Sequence, residues 1–234
     1  MLNLYGFEKI IFDGAIMTLK LSVLSVLIAF ALGLVGASAK LSGSRFLRIW
    51  FDIYTTLVRG VPDIILMLIV YYGLQIILNS ITAYLGWKTL QMEAFTTGVI
   101  TLGIIYGAYF TETFRGAFLS VNKGEIEAAR AFGLTNWQVF YRIMFPSMMR
   151  YALPGIGNNW MVVLKATALV SLLSLNDIVQ NTKTAIASPI TPNDSKLVFY
   201  AVAAGIYLLF TSISSIGLWW LERHFSAGVK KSHF

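Results

Sequence analysis

The sequence contains no cysteine, which excludes disulfides and thiolate chemistry and leaves the redox compartment unmarked. It has only two histidines, His224 and His233, both in the tail, and such a pair is not a metal site. Charge is scarce as well. Only 12% of the residues are charged, about half the share of an average soluble domain. Acidic residues are the rarer sign, 11 against 18 basic, for a net charge of +7. In a soluble protein that excess would point to nucleic acid, but here its distribution along the chain matters more than its sum. No glycine-rich phosphate loop ending in Lys-Ser/Thr occurs, so the chain is not expected to hydrolyse ATP. No basic segment with a small-residue cleavage site precedes the first apolar run, so no removable signal peptide is expected.

What is abundant is apolar surface. Hydrophobic residues make up 57% of the chain and the mean hydropathy is +0.71. A helix needs about 20 mostly uncharged residues to cross a bilayer. Five stretches meet that need: residues 13–39, 62–84, 94–118, 151–175 and 197–221. They predict an all-α integral membrane fold, a single transmembrane domain over residues 1–234. An odd number of spans puts the termini on opposite sides. Lysines and arginines accumulate in cytoplasmic loops. One side collects Lys40, Arg45, Arg48, Arg115, Lys123, Arg130, Arg142, Arg150, Arg223, Lys230 and Lys231; the other has Lys9, Lys88, Lys183 and Lys196. The N-terminus is therefore expected outside, and the C-terminus and the loop over 119–150 inside. Trp87, Trp219, Trp220, Tyr5 and Tyr84 fall near span ends, where amphipathic rings anchor at the headgroups. Gly33 and Gly36, with Ala29 and Ala37, give the first span a small-residue face for close helix contact. Residues 188–194 form a turn-rich outer loop that can touch an external partner.

The loop from Glu125 to Pro154 is the longest piece a bilayer could not hold. It carries Glu125, Glu127, Arg130, Arg142 and Arg150. Asn122 with Glu125, and Thr135 with Gln138, read as two capping boxes, each opening a short helix. Gly133 stands where the first helix must stop, since glycine takes the left-handed conformation cheaply. Pro146 bars the second helix from continuing in the usual hydrogen-bond ladder. Ala128, Ala129, Ala131 and Gly133 leave the first helix with a nearly bare face that another protein can approach closely. A solvated helical loop and a DNA-binding helix-turn-helix are the other readings of this pattern, and the apolar flanks deny the latter a soluble domain.

The run Glu127-Ala128-Ala129, then Gly133, Ile143, Phe145 and Pro146, resembles the EAA motif of permease subunits of bacterial ABC importers, with Phe145 where leucine is usual. Arg59-Gly60-Val61-Pro62-Asp63, Tyr109-Phe110-Thr111-Glu112 with Arg115-Gly116, and Leu164-Lys165-Ala166-Thr167 look like the polar amino-acid branch of that family, nearest its members for basic amino acids. The resemblance runs over essentially the whole chain. It implies the type I importer permease (MetI-like) fold, and a complex with a second, similar permease subunit in a pseudo-two-fold pair. It also implies two copies of an ATP-binding subunit, an external substrate-binding protein, and location in the bacterial inner membrane. ATP and Mg would then sit on the partner subunits, and this chain would hold no cofactor. The resemblance assigns Glu127, Ala128, Ala129 and Gly133 to docking on the ATPase.

Ionisable groups inside spans are costly and mark functional positions. Asp63 follows Pro62, which leaves a backbone carbonyl unpaired, so the helix there can line a cavity; its carboxylate suits a cationic substrate. The alternative is an ion pair with Arg59, four residues earlier. Glu112 and Arg115, three residues apart, are expected to pair with each other or with Arg59. The fourth span is unusually polar, with Asn158, Asn159, Lys165, Thr167, Ser171 and Ser174. Asn158, Lys165 and Ser171 fall near one stripe, where they would line a pathway or bond across helices. Lys230 and Lys231 are expected against anionic lipid heads. Two further functions stay open on the residues alone: a self-sufficient carrier or channel built from copies of this chain, and an importer of neutral amino acids.

Overall fold

The computed structural model describes residues 4–173, 175–192 and 195–225. The expectations for Ser174, for Asn193 and Asp194, and for Lys230, Lys231 and His233 lie outside these, as does the side chain of His224. Among the described residues the regular structure is helical throughout. In order come α1 (Glu8–Leu41), α2 (Arg45–Gly60), α3 (Asp63–Tyr84), α4 (Ala94–Leu119), α5 (Lys123–Ala131) and α6 (Asn136–Val139). A π-helical turn (Phe140–Met144) leads into α7 (Phe145–Val170), which ends in a 3₁₀ turn (Ser171–Leu173); α8 (Ile178–Ala187) and α9 (Lys196–Phe225) follow. Five helical stretches are long and apolar enough to cross a membrane: Glu8–Leu41, Asp63–Tyr84, Ala94–Leu119, Asn136–Leu173 and Lys196–Arg223.

The α1/α4 pair is the centre of the fold. Glycine makes the approach possible: a Cβ on Gly33 would lie 2.5 Å from Phe110 Cβ, and one on Gly36 would overlap the Thr111 side chain. Tyr106, Phe110 and Phe114 are thereby fully buried, and Phe30 meets Phe114 edge-on at 4.9 Å between ring centroids. α7 closes on the other side of α4, where Gly155 faces Thr113 and Asn159 Nδ2 donates to Thr113 Oγ1 at 3.0 Å. Several buried hydroxyls inside the helices donate to preceding carbonyls, as Thr111 does to Gly107 O at 2.8 Å and Thr167 to Leu164 O at 2.7 Å. α3 and α9 are peripheral, with Ile69, Ile76, Ile77, Leu208, Ile213 and Ile216 all exposed. Surfaces this apolar are at rest in hydrocarbon and nowhere else.

Four local features depart from or add to the sequence reading. α2 was read only as part of an inner loop, because its 16 residues are too few and too polar for a span. It is an amphipathic helix, capped by Ser44 Oγ on Leu47 N at 3.4 Å. α8 is likewise an unforeseen helix, capped by Asp177 on Gln180 N at 2.8 Å. The second loop helix does not stop at Pro146. It passes through the π turn, whose wider ladder (Phe145 N to Phe140 O) carries the chain to a proline that can neither donate nor tolerate an ordinary turn behind it. At Thr135 both halves of the capping box are present. At Asn122 they are not: Asn122 Oδ1 accepts from Gly124 N at 2.9 Å, while Glu125 Oε2 instead accepts from Ser147 Oγ at 3.3 Å.

Candidate functional site

Two clusters hold the residues singled out in the sequence. The first lies where α2, the α2/α3 break and α4 meet. Lys40, in the last turn of α1, has a side chain only 7% exposed. Its Nζ donates to Glu112 Oε1 at 2.5 Å and to Thr55 Oγ1 at 2.8 Å, and lies 2.8 Å from Asp52 Oδ1. Glu112 Oε2 accepts in turn from Arg115 Nε at 3.0 Å and lies 2.8 Å from its Nη2. A buried ammonium is tolerable only when paired and hydrogen-bonded this completely. The network ties the end of α1 to α2 and α4. Sequence reasoning missed Lys40 as the partner of Glu112, because 72 residues separate the two. The signal available was a lysine at the very end of an apolar span.

Glu112 and Arg115 pair with each other as expected. Arg59 joins neither Asp63 nor Glu112 in an ion pair among the described residues, and the alternative of an Arg59–Asp63 pair is corrected. The reason is local. Val61 is extended (φ −108°, ψ 141°) and Pro62 begins a new helix, so the four-residue spacing from Arg59 to Asp63 no longer places them on one face. The Arg59 guanidinium lies instead over the Tyr109 ring, 5.7 Å from its centroid. Asp63 Oδ2 accepts from Tyr106 Oη at 2.8 Å. Tyr106 and Tyr109 are neighbours on one turn of α4, their centroids 5.4 Å apart. Beside them opens a cavity of about 500 Å³ lined by Lys40, Thr55, Thr56, Arg59, Gly60, Tyr109 and Glu112.

On α7, Asn158 and Lys165 are both exposed, seven residues apart and so on one helical face. Ser171 does not join them. It is buried in the 3₁₀ turn, where its Oγ donates to Ala168 O at 2.7 Å and lies 3.5 Å from Lys183 Nζ. The expected stripe therefore holds two of its three residues.

The second cluster is α5, the glycine corner and α6. Glu127 and Ala128 are exposed, Ala129 is buried, and Gly133 has φ +79°, the left-handed turn that only glycine takes without strain. Unforeseen in the sequence are the large apolar side chains around that corner: Phe132 is 86% exposed, Trp137 72% and Tyr141 66%. A bare alanine face ringed by exposed aromatics is the composition of a protein-binding surface.

The comparisons with known proteins agree with this layout. The family model for the binding-protein-dependent transport system inner membrane component matches residues 15–227. The chain is 56% identical over 230 residues to the histidine/lysine/arginine/ornithine transport system permease protein HisQ of Escherichia coli (strain K12), covering 98% of this chain and 99% of the relative. It is 36% identical over 221 residues to the arginine ABC transporter permease protein ArtQ of Haemophilus influenzae, covering 94% and 95%. Its backbone is similar to one chain in the crystal structure of an amino acid ABC transporter with histidines, with a TM-score of 0.76, 29% identity, and 92% and 94% coverage. The chain belongs to the family of binding-protein-dependent transport system inner membrane components, the permease subunits of ABC importers.

Proposed function

We propose that this chain is the permease subunit of an ATP-driven importer for basic amino acids (histidine, lysine, arginine and ornithine), working by alternating access. The observation that carries the reading is 56% identity along nearly the full length of a permease for those four substrates. The placement of Asp63 supports it: a carboxylate at a helix break, held by Tyr106 beside the open cavity, is a counter-charge for a cationic side chain. Asn158 and Lys165 offer a second polar face to the pathway. Ser171 belongs with the packing of α7 and α8, and Glu112, Arg115 and Lys40 hold the gate region together.

In this reading the complex contains a second, similar permease subunit, two ATP-binding subunits and an external binding protein that delivers substrate. ATP and Mg sit on the ATP-binding subunits, and this chain performs no hydrolysis. The complex sits in the bacterial inner membrane, the N-terminus outside and α5/α6 in the cytoplasm, as the distribution of Lys and Arg supports. The permease domain spans the whole chain, with 119–150 as its coupling loop. Glu127, Ala128, Ala129 and Gly133 form the docking element for the ATPase. Closure of the ATPases moves α5 and α6, and the spans rock to open a site between the two permeases inward.

The test is uptake of arginine, lysine and histidine by the reconstituted complex with its binding protein, with and without ATP, for wild type and Asp63→Asn. Wild-type uptake is expected to require ATP. Asp63→Asn is expected to lower uptake of all three at least tenfold, while ATPase stimulation by the loaded binding protein persists. Uptake without ATP would overturn the importer reading in favour of a self-sufficient carrier.

A further inference from the structure

Three charged side chains line the cavity between α2 and α4, and two of them cancel. Lys40 is bound by Glu112 and Asp52, and Glu112 is bound again by Arg115. Arg59 is left. It lines the same cavity, is exposed to it, and makes no ion pair among the described residues; the Tyr109 ring is its neighbour. Tyr109 lies ten residues before the end of α4, or about 15 Å in from that end at 1.5 Å per residue, well inside a stretch able to cross the membrane. A cation at that depth without a counter-ion is costly unless it faces a cavity that receives an anion. Ring contact with Tyr109 fixes the guanidinium while leaving its fork of donors free, the arrangement suited to taking a carboxylate two-handed. The nearby anion, Asp63, is turned to Tyr106 and held there.

The cavity therefore presents one free positive group, and Asp63, outside its lining, is held by Tyr106 one turn of α4 from Tyr109. A basic amino acid carries the complementary pair at its two ends. Resting on the importer reading, we infer that Arg59 binds the α-carboxylate of the transported amino acid while Asp63 receives its cationic side chain. Arg59 is thus given to the substrate instead of to an ion pair with Asp63 or Glu112, and the α-carboxylate is read by this chain and not only by the external binding protein.

The experiment is equilibrium binding of labelled arginine, and of its decarboxylated counterpart agmatine, to the purified complex in nanodiscs without the binding protein. Arg59→Gln is expected to weaken arginine at least tenfold and to leave agmatine, which has no carboxylate, unchanged. Arg59→Lys keeps the charge but loses the fork, and is expected to bind arginine more weakly than wild type and more tightly than Arg59→Gln. Agmatine binding serves as the control that the variant is folded. Three results would overturn the inference: no saturable arginine binding by the wild type, equal loss of arginine and agmatine, or undiminished arginine binding by Arg59→Gln. Repeating the measurement in nanodiscs with and without anionic lipid separates a lipid phosphate from a carboxylate. An Arg59 effect confined to anionic lipid would give the guanidinium to the lipid and overturn the inference. Any of these can occur while ATP-dependent uptake of basic amino acids persists, so the inference can fail while the importer reading stands.

Discussion

A buried lysine is the costliest residue this chain keeps. Lys40 is held by three oxygen partners from two other helices, and removing any one leaves a largely buried ammonium under-paired. Asp177 is the opposite case. It is fully buried at the start of α8; one oxygen caps the helix, and the other has no partner among the described residues. Burial pushes its carboxyl up from 3.8 to about 6, against the backbone N–H bonds and Lys183, which pull it down. A carboxyl whose folded pKa is raised keeps its proton longer in the fold. Its favourable contribution is therefore complete below about pH 4 and is lost as pH climbs through about 6. Asp177→Asn keeps a capping oxygen and removes the charge. Thermal unfolding of the purified complex is expected to show wild type losing up to about 3 kcal/mol between pH 4 and 7 from this group, and the variant losing none of it. A variant with the same pH slope as wild type would show that the charge is solvated. At this scale the sequence was readable where partners are close in the chain. Glu112 and Arg115 sit three residues apart and meet; Lys40 and Glu112 meet only because α1 and α4 are packed, and no local pattern announces that.

The elements divide by how much they bury. α1 meets α4 closely at Gly33, against the Phe110 backbone, and at Gly36, against the Thr111 side chain, and the small-residue pattern behind this was legible. Gly33→Leu would drive a branched side chain into Phe110 and Phe114. Overpacking of that kind costs about 3 kcal/mol or more, and the expected outcome is loss of the monodisperse complex on size exclusion. Gly116→Leu, at a position with open space, is expected to leave it intact. α2 and α8 were not legible as helices, since neither is long enough to register as a span and their apolar residues mix with charge. α2 exposes Phe46, Ile49, Trp50, Ile53 and Leu57 along one stripe. Its other face carries Phe51 against Gly36 and Tyr54, whose hydroxyl donates to Ile104 O. The i, i+4 spacing from Arg59 to Asp63 misled for a related reason: it assumes one helix where Val61 and Pro62 make two.

The whole molecule is an apolar bundle with one large aromatic surface beyond the spans. Five crossing helices follow from composition alone, because hydrocarbon demands length and lack of charge and little else. The exposed corner of Phe132 and Trp137 did not follow, since nothing in a sequence says which aromatic residues of a loop find cover. Phe132 is largely exposed and Trp137 stacks on Phe140, 5.8 Å between ring centroids, so Phe132→Ser with Trp137→Ser is expected to cost folding no more than about 1.5 kcal/mol. The docking role proposed for this corner predicts that the double variant loses the ATP-binding subunit on affinity purification, and that ATP-dependent uptake falls at least tenfold. Retention of the subunit with full uptake would leave the corner without that role.

The passage from α6 through the π turn into α7 carries a mechanical consequence. The residues Asn136–Leu173 form one uninterrupted helical rod of 38 residues, about 57 Å long at 1.5 Å per residue. Its hydrogen-bond ladder lacks two donors, at Pro146 and Pro154, and widens at the π turn, so these are the places where it bends. It is held against α4 where Asn159 and Gly155 meet Thr113. Trp137 and Lys165 are thus joined by a helix with two places to bend, one at the π turn with Pro146 and one at Pro154, beside the contact with α4.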